Sequence, residues 1–152
     1  MRIRAALAML LSVPLLATSA AEAEPPRVDR LEQLALERIN TMRADSGLPR
    51  LMRSASLSRS ASRYARLMAG RGFFGHLSAV WASQSYSSLG EVILVHPGKH
   101  GRPRVTVNRW AGSSAHRNIM LSANYRQVGV GKAYGFYDGR RVTMWVAHLG
   151  RR

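Results

Sequence analysis

The chain contains no cysteine, so whatever it folds into is held by a packed core without covalent staples. Thiol catalysis and every thiolate metal site are excluded with it. The N-terminus decides how much of the 152 residues is available for that core. Arg2 and Arg4 precede an almost unbroken apolar run from Ala5 to Ala17, and both Ser19-Ala20-Ala21 and Ala21-Glu22-Ala23 fit a signal-peptidase site. The run is shorter than the ~20 apolar residues a bilayer crossing needs, and Pro14 interrupts it. Residues 1–23 read as a cleaved export signal, with no transmembrane segment or lipoprotein anchor expected after it. Residues 24–152 then read as one domain, large enough to bury a single core. Export without disulfides fits a bacterial protein secreted to the periplasm or the medium.

The formal charge is +15, from 23 basic and 8 acidic residues, and every basic residue except Lys99 and Lys132 is arginine. Non-specific adherence to anionic surfaces is expected of such a chain. The basic residues are scattered and no nucleic-acid-binding motif occurs, so no specific nucleic-acid partner is expected. The acids are more informative. From Gly47 to the end there are two, Glu91 and Asp138. Asp138 sits in Tyr137-Asp138-Gly139, a hairpin-turn context, which leaves Glu91 without a turn role.

Apolar residues at Leu31, Leu34, Ala35, Ile39 and Met42 recur at helical spacing, with Asp29 as N-cap and Gly47 as stop. A second helix is predicted from about Ser56, with Leu57, Ala61, Tyr64, Ala65 and Met68 as its buried stripe and Gly70 and Gly72 at its end. Residues 73–90 read as a long loop, Glu91 to Val95 as a strand, and Val105 to Trp110 as a helix. Ser113 or Ser114 caps a short turn after it. Val128 onward and Val142 to Leu149 form a hairpin. The class is α+β, with helices stacked on a small antiparallel sheet of three or four strands.

Several phrases in this order resemble the CAP (SCP-like) superfamily of cysteine-rich secretory, antigen 5 and pathogenesis-related proteins. They are Ile39-Asn40-x-x-Arg43-x-x-x-Gly47-Leu48-Pro49, Met68-Ala69-x-x-Gly72-x-Phe74-x-His76-x-Ser78, Gly90-Glu91-Val92-Ile93, Trp110 followed by Ser114-Ala115-His116-Arg117-Asn118-Ile119-Met120, and Asn124-Tyr125-x-x-Val128-Gly129-Val130-Gly131. The resemblance covers essentially all of residues 24–152. It implies an α-β-α sandwich, with helices on both faces of the sheet and a cleft lined by His76, Glu91 and His116; Ser113, Ser114 and Arg117, close to His116 in the chain, are candidates for its rim. In some relatives such a cleft binds a divalent metal. Three departures stand out: a second glutamate expected near Ser113 is absent, Val92 replaces an asparagine, and Ala115 replaces a glycine.

Two imidazoles and a carboxylate form a ligand set for zinc with an open position. They form equally well an acid–base pair in which Glu91 fixes a histidine tautomer, or a structural polar network that holds the long loop against the strand. His96 and His100 are expected in solvent, His148 as a packed or rim residue, and Trp110 and Trp145 as core anchors. Serine catalysis is not expected, because no Gly-x-Ser-x-Gly elbow occurs. Three functions follow: a non-enzymatic binding module for a lipid or cell-envelope ligand, a metal-dependent hydrolase using the same cleft, and a basic envelope-adhesion protein with a structural cleft. With one carboxylate and no credible nucleophile, binding is favoured over catalysis and no cofactor is required.

Overall fold

The computed structural model describes residues 29–80, 82, 85–99 and 101–152; the export-signal reading, Trp81 and His100 lie outside them. Asp29 starts the first helix, accepting at Oδ1 from the backbone N–H groups of Leu31 (2.8 Å) and Glu32 (3.3 Å). Helix α1 spans Arg30–Asp45, and Gly47 follows at a positive φ of 69°. A short strand β1, Met52–Arg53, precedes α2, Ala55–Arg71, which ends on Gly72 in the left-handed conformation. Strand β2 (Ser88–Pro97), α3 (Pro103–Gly112) and α4 (Ser114–Met120) follow. The chain closes with β3 (Gln127–Tyr137) and β4 (Arg140–Arg151). Between these two strands Asp138 and Gly139 both take positive φ, 51° and 68°, as a two-residue type I′ hairpin requires.

The sheet order is β1-β3-β4-β2. It is mixed where an antiparallel sheet was expected, because β1 pairs parallel to β3. Two residues between Pro49 and a helix carry too little alternation to announce a strand. The other pairings are antiparallel, and β2 forms one edge.

The alternation of side chains along the strands builds two cores. Val92, Val128, Val130, Trp145, Ala147 and Leu149 face α1 and α3, packing with Ile39, Val107 and Trp110. Ile93, Ala133, Met144 and Val146 face α2, packing with Ala61, Tyr64, Ala65 and Met68. Trp110 and Trp145 are fully buried anchors, as expected, and Val92 is fully buried beside them. Helix α2 lies almost on the backbone of β3 because β3 is bare beneath it. A Cβ on Gly129 would fall 1.9 Å from the Ser58 nitrogen, and one on Gly131 would fall 2.2 Å from the Ser62 nitrogen. Only glycine permits that approach.

Candidate functional site

The antiparallel register sets Glu91 on β2 directly opposite His148 on β4, and His148 opposite Gly129 on β3. The three form one row across the α2 face of the sheet. The absent side chain at Gly129 lets α2 come down far enough for Ser60 to reach His148. Ser60 Oγ lies 2.7 Å from His148 Nδ1, and His148 Nε2 lies 2.8 Å from Glu91 Oε2. The other carboxylate oxygen, Oε1, is 2.7 Å from His76 Nδ1. Four side chains from α2, β4, β2 and the loop after α2 are thus linked in a line from the core to the surface. His148 is fully buried, the Glu91 side chain is 7% exposed, and the His76 side chain is 52% exposed.

The loop that carries His76 is pinned by Tyr64 of α2, whose hydroxyl donates to the Gly75 carbonyl. The Tyr64 ring also stacks on His148, with centroids 6.3 Å apart, and meets Phe73 edge-on. Burial, then the nearby Glu91 charge, raises the Tyr64 pKa, which keeps the hydroxyl a donor. His116 comes from α4. It makes no hydrogen bond to Glu91; its ring faces that of His76 across 6.5 Å between centroids, tilted by 52°. Burial, and secondarily the neighbouring His76, holds the His116 pKa below the usual imidazole range.

This arrangement has definite chemical consequences. A carboxylate that accepts from two imidazoles fixes a proton on the ring nitrogen that faces it in each. With its Nδ1 proton donated to Glu91, His76 keeps a lone pair on Nε2. Ser60 has one proton and two acceptors, His148 Nδ1 and the Leu57 carbonyl at 3.0 Å. Sent to the imidazole, that proton leaves His148 neutral. Sent to the carbonyl, it requires both His148 nitrogens to be protonated.

The structure therefore brings His76 and Glu91 into contact and sets His116 beside His76. The residues do not fit a three-ligand metal set as they stand. Glu91 turns its oxygens to His76 Nδ1 and His148 Nε2, and among the described residues no three His, Asp or Glu side chains are gathered as a ligand set. Two imidazoles sharing a tetrahedral ion at ~2.1 Å would also have centroids only about 5 Å apart. At the rim, Ser113 is the α4 N-cap without a side-chain cap bond, and Arg117 donates to the Ala111 carbonyl. Ser114 opens α4 and is exposed.

One histidine expectation needs correction. His96 is buried, with its Nε2 2.9 Å from Thr106 Oγ1, because β2 extends to Pro97 and its His96 side chain lies under α3. His148 is packed and fully buried, and it is in addition the inner partner of Glu91. Its signal was present in the alternation Val142, Met144, Val146, His148, yet recognising it required the β2–β4 register.

An α+β domain with helices on both faces of a mixed sheet, and a histidine–glutamate network at one sheet edge, is the class these features define. The profile of the CAP family, the cysteine-rich secretory protein family, matches residues 36–149, and the chain belongs to that family. It is 29% identical over 123 residues to the uncharacterized protein YkwD of Bacillus subtilis, a match covering 75% of this chain and 47% of YkwD. The chain thus spans about half the length of that relative. In fold it is similar to an outer surface protein of Borrelia burgdorferi, with a TM-score of 0.64 at 16% identity over 79% of this chain and 91% of that one. It is similar also to an extracellular SCP-domain protein of Bacillus anthracis, with a TM-score of 0.63 at 19% identity over 80% of this chain and 40% of that one. Among the described residues no helix is long and apolar enough to cross a membrane.

Proposed function

We propose that the protein is an exported binding module whose cleft takes an anionic group borne by a lipid or another cell-envelope component. The observation that supports this reading is the pairing of Glu91, whose carboxylate faces His76 at 2.7 Å and His148 at 2.8 Å. That acid is therefore engaged, and His116, beside His76, is left to offer a ring N–H to a ligand in a chain of net charge +15. The hydroxyl in the network, Ser60, is buried and is no nucleophile for an outside substrate. The extracellular and outer-surface relatives support export. The test is calorimetric titration with a monomeric short-chain phosphatidylglycerol and its phosphatidylcholine counterpart. The anionic lipid is expected to bind, and His76→Ala and His116→Ala to weaken it. Equal binding of both lipids, or binding indifferent to both substitutions, would reject the reading.

A second reading has its own observation. A carboxylate holding Nδ1–H of a half-exposed histidine leaves Nε2 free as a general base, which makes the protein a hydrolase acting through His76. His76→Ala should then abolish turnover of a peptide or ester panel while the fold persists, and unchanged turnover sinks it.

A further inference from the structure

Beyond the N-terminus of α1, no helix among the described residues lies over the end of β3. Val128 and Val130 of β3 are buried in the core that α1 covers. Lys132, next on that face, is ion-paired at 2.8 Å to Asp29, the residue that starts the helix. Further along the same face no helix among the described residues covers the strand, and Tyr134 and Phe136 are 42% and 57% exposed. Arg141 lies across from Phe136 on β4. With Lys99 it borders a groove of about 240 Å³ whose floor is Tyr134, Gly135, Phe136 and Val142. Lys132 and Lys99 place their ammonium groups 5.0 and 6.0 Å from the Tyr134 ring centroid. The acids nearby are Asp29, engaged by Lys132, Glu32, whose carboxylate accepts from the Lys132 backbone N–H at 3.0 Å, and Asp138 at the turn, which is flanked along the hairpin by Arg140 and Arg141.

Exposed aromatic rings interleaved with cations match the interface of an anionic bilayer. Rings enter the headgroup layer, and each nearby cation gains from the surface potential. We propose that the patch docks the protein on an anionic lipid bilayer, with Tyr134 and Phe136 in the interfacial layer and Lys99 and Arg141 on lipid phosphates. This surface is separate from the histidine cleft and does not depend on the reading given above.

The test is flotation of the exported protein with phosphatidylcholine vesicles, with and without phosphatidylglycerol, comparing two charge-matched variants. Lys99→Glu/Arg141→Glu is expected to lower partitioning onto the anionic vesicles by at least about tenfold. Arg59→Glu/Arg66→Glu, on α2 away from the patch, is expected to lower it much less. Equal losses would assign the binding to diffuse net charge and overturn the proposal. Phe136→Trp, which leaves the charge unchanged, should show a blue-shifted emission on the anionic vesicles, and an unshifted emission would overturn ring insertion. Retention on neutral vesicles that none of the variants alters would assign the contact to an uncleaved leader instead.

Discussion

Glu91 has two oxygens and two histidine partners, so its replacement tests the whole network. In Glu91→Gln the amide offers one acceptor oxygen where two imidazoles donate, so one ring is left facing an N–H group. A loss of about 1–3 kcal/mol is expected, the usual cost of an unsatisfied buried polar group, read by urea denaturation. Nitrogen-15 spectra should show His76 as the Nδ1–H tautomer in the parent and not in the variant. A variant as stable as the parent, with its tautomer unchanged, would mean that Glu91 does not orient His76. Ser60→Ala removes one end of the line from a fully buried His148 and should cost a similar amount without touching exposed surface.

At the scale of elements, the contact of α2 with β3 decides whether the network forms. Gly129→Ala would drive a methyl group to within 2.1 Å of the Leu57 carbonyl carbon as well as onto the Ser58 nitrogen. These are backbone atoms that cannot rotate aside, so the helix must lift. A destabilisation of about 1–3 kcal/mol or more is expected, together with loss of the Ser60–His148 bond in the imidazole spectra. Gly112→Ala, at the end of α3 where a new Cβ meets nothing within 4 Å, should be neutral or slightly stabilising. If the two substitutions cost the same in thermal melts, the close approach is not what holds α2 in place. The helix itself was readable from Leu57, Ala61, Tyr64, Ala65 and Met68. Its height above the sheet was not, because glycines in a strand also mark bulges and turns.

For the molecule as a whole, two histidines set the response to acid. Burial, then Arg109, holds the His96 pKa below the ordinary imidazole value of 6.5, and burial with His76 does the same for His116. The unfolded chain therefore binds protons at these positions before the folded one does. Their contribution is present in full above the unfolded pKa and is lost as pH falls through the depressed folded values. Denaturation midpoints should decline as the pH drops below 6.5, and His96→Asn should flatten that decline. An unchanged slope would remove His96 from the account. A zinc titration addresses the cleft at the same scale. The 6.5 Å separation of the His76 and His116 rings predicts no stoichiometric complex at micromolar zinc, and stoichiometric zinc lost in His76→Ala would restore His76, Glu91 and His116 as a ligand set.

The sequence by itself determined what depends on local pattern. Asp29 caps a helix because its carboxylate meets its own backbone two residues on, and Asp138-Gly139 turns a hairpin because both residues tolerate positive φ. The helical and strand periods sort the side chains into two cores, and the ordered phrases around His76, Glu91 and His116 carry the family. The tertiary structure decided everything that depends on register and approach. It set Glu91 against His148 across β2 and β4 and let Ser60 reach that ring over a bare glycine. It turned His96 inward, ran β1 parallel to β3, and left Tyr134 and Phe136 uncovered past the end of α1. The physical reason is the same in each case. These contacts join residues far apart in the chain, and only pairing register and helix–sheet distance bring them within hydrogen-bond reach.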